Sequence, residues 1–391
     1  GTRAGNVKPS TGYAFKNMYR HAQLICEGGN IKSKKVKPNK RFLFYDQLLL
    51  IILTVWPLKG KPIFERLFAV KSSYFILRFL DEKTSFFEDL SMFYKLQIGV
   101  FIKSIFYWIY WKFKKIIFPL LIIIYVIFDH SSPSAELLNL SSNNLYVLTL
   151  GLLFIGIPHG ALDHLTGSLD NNTKINVKFV FYYLLMMIPI LLIWFWIPVL
   201  GLIFFLIYSA WHFGQTEINN WGIESNLIGF LWGCILFSSI FLIHYVEFLN
   251  ILSMIDINIL KTDFNYIMLG NTLLILPLIA AVSKRNLEWV LIVVFLYLSN
   301  YESLLLTFGL YFIFQHSKIG WMHLKKNLHK THFNMFMNAL PFNIGAIFLY
   351  LVFIYLLDLE MKQCLAYFFI FLSAISFPHV ICMHLFYKYK T

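Results

Sequence analysis

The sequence predicts an all-α polytopic membrane protein, with about eight to ten transmembrane helices behind a small soluble, mainly helical N-terminal segment. Three observations predict it. The 391 residues are 58% hydrophobic, 19% aromatic and only 14% charged, whereas soluble domains run at roughly half apolar and a quarter charged. From Ile116 onward, apolar runs of roughly 17–25 residues recur, the length needed to cross a hydrocarbon core. The charge is also partitioned: residues 1–116 hold 21 Lys/Arg against 7 Asp/Glu, and residues 117–391 hold 12 against 13. A basic head, 1–113, thus precedes a nearly neutral, lipid-like body, 114–391.

Along the head, the pattern up to about Lys115 is that of soluble helices, interrupted by the charged loop IKSKKVKPNKR (Ile31–Arg41). The stretch FEDLSMFYKLQIGVFIKSIFYWIYWKFKK reads as an amphipathic, aromatic-rich approach to the membrane surface. In the body, spans are expected near 114–129, 145–165, 178–196, 199–215, 226–248, 265–283, 287–300, 303–321, 335–357 and 362–386. The seventh is short enough to be re-entrant. Lys and Arg concentrate in cytoplasmic loops. With the head inside, the inner loops receive Lys174, Lys178, Lys284, Arg285, Lys325, Lys326, Lys330, Lys388 and Lys390, and the outer side keeps Lys261 and Lys362. Both ends are therefore expected in the cytoplasm, in a multi-pass protein of the inner (plasma) membrane.

Several function classes fall away at this level. The basic head carries no recognisable nucleic-acid module, so anionic lipid is the expected neighbour and no nucleic acid is expected as a partner. Cys26, Cys234, Cys364 and Cys382 are scattered without a CxxC pair and predict buried thiols rather than a disulfide framework or zinc ribbon. The first residues lack the apolar core of a signal peptide. Gly1 is not an initiator Met, which leads us to expect a fragment or processed product.

Ionisable residues inside a membrane are costly and mark functional sites. Of the 12 histidines, His159, His212, His316 and His379 fall in spans two, four, eight and ten, which all run from outside to inside. All four lie within about two turns of the inner boundary, and so can converge. One such histidine alone is ordinarily explained by a hydrogen bond within the bundle; four at one depth favour a shared site. Neutral imidazoles from four helices suit a first-row metal such as iron, copper or zinc, and a shell without carboxylates leaves Fe(II) positive, with positions open to O2. Asp163, four residues from His159, and Glu217, following HFGQ, are the expected acceptors for the remaining ring N–H groups. His164 lies about 140° round a helix from His159 and is not expected to share its metal. His323 shares a face with His316 but lies roughly 10 Å further along. His244 is expected to be interfacial or in the core. Proline before two of the four, in IPHG and FPHV, frees a backbone carbonyl, which is tolerated beside a cavity. The Gly156/Gly160 pair permits close approach of a helix or a ligand.

GIPHGALDH (Gly156–His164), SAWHFGQTE (Ser209–Glu217), LYFIFQHSK (Leu310–Lys318) and FPHVICMHL (Phe377–Leu385) occur in this order. Together they resemble the bacteriorhodopsin-related-protein (Brp/Blh) family of β-carotene 15,15′-dioxygenases, over roughly Ile116 to Tyr389. The resemblance implies an integral membrane, iron-dependent enzyme that uses O2 to split the central double bond of β-carotene into two retinals. By motif, His159, His212 and His316 match histidines treated as iron ligands in that family. Some members carry a further histidine four residues after the one matched by His316; Gly320 stands there in this chain. His379 is favoured as fourth ligand by its depth, with His323 the alternative. A retinal-binding rhodopsin is the implied product acceptor.

The head resembles another family. GTRAGNVKPSTGYAFKNMYRH, FYDQLLL and LRFLDEKTSFFEDLSMF are similar to the C-terminal end of flavin-dependent lycopene β-cyclases, in which the glycine-rich stretch lies against the flavin. The dinucleotide fingerprint of such enzymes is absent here, so FAD is expected only in a complete cyclase half. The implied arrangement is a fusion in which one half makes β-carotene and the next cleaves it. Two other functions use the same histidines: a membrane transporter or proton relay, whose histidines titrate near neutral pH, and a haem-binding electron carrier, which needs two facing histidines.

Overall fold

The computed structural model describes residues 8, 10–13, 15–26, 39–129, 142–166, 177–259, 262–358 and 361–390. Residues 1–7 of the glycine-rich stretch, 31–38 of the charged loop, His130, Lys174 and Lys261 lie outside them. Every described regular element is a helix, and the chain divides into two compact units, Gly1–Lys114 and Lys115–Thr391.

The first unit contains α1 (Phe15–Cys26), α2 (Lys40–Val55), α3 (Gly60–Val70), α4 (Ser73–Leu80), α5 (Phe86–Lys95) and α6 (Ile98–Phe113). The starts of its helices are written in the sequence. Asn39 caps α2, Ser72 caps α4, and Ser85 and Glu88 form a reciprocal capping box on α5, each satisfying backbone N–H groups that the first turn leaves unpaired. The Ser85 N–H and the Arg78 guanidinium hold the Glu88 carboxyl below its ordinary range. Ile52, Ile63, Met92, Leu96 and Phe101 make the apolar core, and Asp89, fully buried, is held by the Thr84 hydroxyl at 2.6 Å and by Arg41 at 3.3 Å. Taken together, Lys40–Val55 and Pro57–Val70 are long and apolar enough to cross a membrane, but they are bent by 117° at Trp56.

The second unit contains α7 (Ile117–Phe128), α8 (Asn143–Thr166), α9 (Val177–Trp196), α10 (Pro198–Asn220), α11 (Asn226–Ile243), α12 (Tyr245–Ser253), α13 (Tyr266–Ser283), α14 (Leu287–Tyr301), α15 (304–328), α16 (His332–Leu357) and α17 (Met361–Lys390). Each of the ten expected spans is helical. Among the described residues, seven helices are long and apolar enough to cross a membrane, or up to eight if the bent pair is one span. The expected spans near 114–129 and 287–300 are the shorter apolar helices α7 and α14, which pack against one another. The third expected span outside the seven is α15, whose run Gln315, His316, Ser317 and Lys318 is polar.

Two features of this bundle position the site. First, α10 and α11 approach closely enough that their backbones touch. A Cβ at Gly214 would lie 1.8 Å from the Gly229 carbonyl oxygen, and one at Gly233 would lie 1.9 Å from that of Ala210, so only glycine fits. This contact fixes the helix that carries His212. Second, α8 and α15 each contain a π-helical stretch, Leu152–Gly156 and Phe312–Ser317, and these two stretches pack against each other. Such insertions occur often at functional sites, because they turn the following side chains to a new face. His159 follows the first and His316 lies within the second.

The glycine contact makes a simple forecast. Gly233→Val forces the two backbones apart and costs about 1–3 kcal/mol or more, which a thermal-unfolding measurement in detergent would register as a markedly lower midpoint.

Candidate metal centre

His159, His212, His316 and His379 come from α8, α10, α15 and α17, and they meet. One ring nitrogen from each of His159, His212 and His379 lies within 4.8 Å of the others. The His316 ring is 4.9 Å from that of His212 and 5.5 Å from that of His159, centroid to centroid. All four are buried, at 5%, 7%, 1% and 7% exposure. That matters because a polar nitrogen shut away from water needs a partner. Yet His159 Nε2, His212 Nε2, His316 Nδ1 and His379 Nε2 have no hydrogen-bond partner.

The protonation of two rings follows from their neighbours. His159 Nδ1 lies 2.6 Å from the Gly156 carbonyl oxygen. A carbonyl only accepts, so Nδ1 carries the proton, and in the neutral ring Nε2 presents a bare lone pair. His379 Nδ1 lies 2.8 and 2.9 Å from the two oxygens of Asp163; an ionised carboxylate accepts, so Nδ1 is the donor, and in a neutral ring Nε2 is then the lone pair. Fixing one ring nitrogen by an acceptor so that the other can bind a metal is the usual arrangement around metal-binding histidines. The donor set holds no thiol and no carboxylate, so the residues fit a first-row metal that accepts imidazole. His316 is held differently: its ring lies flat on Phe213, with centroids 3.6 Å apart and 9° between planes.

Two expected partners sit elsewhere. Asp163 serves His379, not His159. The α-helical spacing that would have put it beneath His159 is lost because the helix breaks into a turn at Ala161–Leu162 before resuming at Asp163. Glu217 contacts none of the four rings through a hydrogen bond; it accepts from Trp232 Nε1 at 2.7 Å and from the Tyr311 hydroxyl. Five residues beyond His212 on an unbroken helix, it faces about 140° away. His323 is neither in the nitrogen cluster nor on the wall of the adjoining cavity. His164 lines that cavity but bonds Ala161 O and stacks on Phe342. His244, buried at the end of α11, does not line it.

The cavity beside the histidines has a volume of about 660 Å3, within the range of small-molecule sites. Its walls are overwhelmingly apolar and include Phe213, Phe237, Phe308, Phe312 and Phe371. Glycines give the rings room. A Cβ at Gly160 would meet His379 Nδ1 at 3.6 Å, and one at Gly320 would press on His159 Cδ2 at 3.1 Å. Gly320 therefore lies directly against this cluster. Sequence reasoning missed Tyr183, whose hydroxyl contacts Asp163 Oδ2 and the Ile375 carbonyl, both at 3.1 Å. One tyrosine among many membrane aromatics carries no distinguishing signal.

A family model described as β-carotene 15,15′-dioxygenase matches residues 150–387, which is more than half of the chain and includes all four histidines. A curated relative, the β-carotene 15,15′-dioxygenase of uncultured marine bacterium 66A03, is 36% identical over 72 residues. That stretch is 17% of this chain and 26% of the relative, so the chain spans about a quarter of the length of the curated protein it matches. No solved structure matches it.

Three substitutions separate the roles, read by elemental analysis of purified protein. His212→Ala removes most of the bound metal. Asp163→Asn leaves the fold intact and weakens metal binding by about 10–100-fold, the usual effect of losing a residue that orients a ligand. Glu217→Ala keeps the metal and instead lowers stability by at least about 1–3 kcal/mol, because the Trp232 and Tyr311 donors are left buried and unpaired.

Proposed function

Because the chain belongs to the β-carotene 15,15′-dioxygenase family, we propose that its membrane unit cleaves the central 15,15′ double bond of β-carotene with O2. The products are two molecules of all-trans-retinal, formed at an intramembrane Fe(II) held by His159, His212, His316 and His379. Atoms balance: the central C=C and the O=O bonds break, and each oxygen atom ends in one aldehyde. The observation that carries this reading is the pair of Nε2 lone pairs on His159 and His379, fixed by Gly156 and Asp163 and facing His212 beside an aromatic cavity.

A conjugated hydrocarbon offers no acidic proton and no leaving group, so side-chain acid–base chemistry has nothing to act on. Iron, when bound, supplies the reactivity toward O2 that amino-acid side chains lack. The chain's own residues do the rest. Four imidazoles keep the ion in the bundle, and Asp163 and Tyr183 hold His379 in position across α8, α9 and α17. The phenylalanine walls bind the polyene and exclude water, which protects a reactive intermediate from side reactions. Which double bond is attacked is then a matter of where the hydrocarbon comes to rest along the cavity. His379 is preferred over His323 as fourth ligand because it lies in the cluster and His323 does not.

The surrounding arrangement follows from the same reading. β-Carotene arrives from membrane lipid, in a plasma membrane with both ends of the chain in the cytoplasm, and a retinal-binding rhodopsin accepts the product. The first unit is read as the C-terminal part of a lycopene β-cyclase, in which FAD binds only when the rest of that half is present.

The deciding experiment expresses residues 1–391 in cells that accumulate β-carotene. The expected outcome is loss of orange colour, appearance of retinal, iron in the purified protein and no Soret band. A Soret band would point instead to haem, and retained colour with iron-free protein would overturn the enzyme reading.

A further inference from the structure

The wall of the cavity includes residues that are exposed on the outside of the bundle, among them Thr149 on α8 and Pro341 on α16. Leu184 on α9 and Phe348 on α16 both line it, yet they are 39% and 64% exposed. Their side chains are therefore wall and outer surface at once. α16 is the least embedded of the spanning helices: only 6% of its most apolar stretch is buried. Phe342, Gly345, Ala346 and Leu349 share one face at i, i+3, i+4, i+7 spacing and line the cavity, as do Ile347, Phe348 and Tyr350 of the same helix. Pro341, one turn earlier, also lines it and leaves the helix without one backbone N–H donor there.

Gly345 stands out on that face. Of the glycines that line the cavity, Gly156 and Gly160 each have a neighbour inside 4 Å of where a Cβ would sit, but at Gly345 nothing lies within that distance. The space beside it is open.

We propose that α16 at Gly345 forms the lateral opening through which a long apolar hydrocarbon slides from the lipid into the cavity, and that Gly345 is the residue that sets its width. This rests on the reading of the cavity as a carotenoid site for the identity of the hydrocarbon. The physical logic is independent of the metal. A molecule that dissolves only in the bilayer core must approach from the side, since passage through either aqueous surface would expose its whole length to water at about 25 cal/mol per Å2. The opening therefore has to lie where the cavity meets lipid.

The test is a graded series, Gly345→Ala, Gly345→Leu and Gly345→Trp, compared with the parent protein. β-Carotene retained on purification, retinal yield and iron content are measured for each. The expected result is near-parental behaviour for alanine, an intermediate loss for leucine, and at least a tenfold loss of both bound pigment and retinal for tryptophan, with iron unchanged throughout. Because no atom lies within 4 Å of the added Cβ, the alanine and leucine variants fold, and their trend decides the matter even if tryptophan does not express. Equal pigment binding across the series would overturn the opening. A parent that binds β-carotene but yields no retinal would overturn the reaction while the binding trend still judges the opening. A parent that neither retains β-carotene nor yields retinal would overturn both.

Discussion

Three imidazole nitrogens, of His159, His212 and His379, lie together inside an apolar bundle with the His316 ring beside them, and each of the four rings has a buried nitrogen without a hydrogen-bond partner; much of the membrane unit is arranged to sustain that. An unpaired polar group in hydrocarbon costs several kcal/mol, so these nitrogens make the cluster a candidate for binding a ligand. The surrounding fold removes every other way of satisfying them. Two rings have their second nitrogen pinned by an acceptor, a third ring lies flat against Phe213, and the close α10–α11 contact fixes the helix that carries the fourth. The rings cannot easily rotate to find one another's protons. Their lone pairs are kept available by steric and hydrogen-bond constraint rather than by charge.

Much of this was legible in the sequence, for a physical reason. Hydropathy and the placement of Lys and Arg give each helix an expected direction, and direction converts a residue's position along a span into an expected depth. Four histidines at one expected depth point to a shared site before any contact is known. Depth, however, says nothing about azimuth. Asp163 was assigned to His159 on the assumption of an unbroken helix, and the turn at Ala161–Leu162 swings it to His379 on α17 instead. Glu217 was drawn toward the site by the polar run around it, but on an uninterrupted helix its offset from His212 points it at Trp232 and Tyr311. Side-chain direction depends on local helix geometry, which composition does not encode.

The same limit explains the spans. α7 and α14 read as membrane crossings by apolarity alone, yet they are shorter than the helices around them and pack against each other. The helix carrying His316 shows the reverse case. Its polar run lowers its apolarity below that of a spanning helix because the site lies within it. Function and hydropathy compete for the same residues, so the most informative helices are those that look least like membrane segments.

The two π-helical stretches carry a consequence for how this chain is compared with others. A π turn is an α-helix that has absorbed one extra residue, so each stretch records an insertion inside a helix that otherwise continues without a gap. Residues before and after it are rotated by about 100° relative to an uninterrupted helix. A homologue lacking either insertion would present its histidine from a different face while showing nearly the same letters. Aligning such chains by motif alone would pair residues one place out of step on one side of each insertion, and would mistake a change of facing for conservation of a ligand.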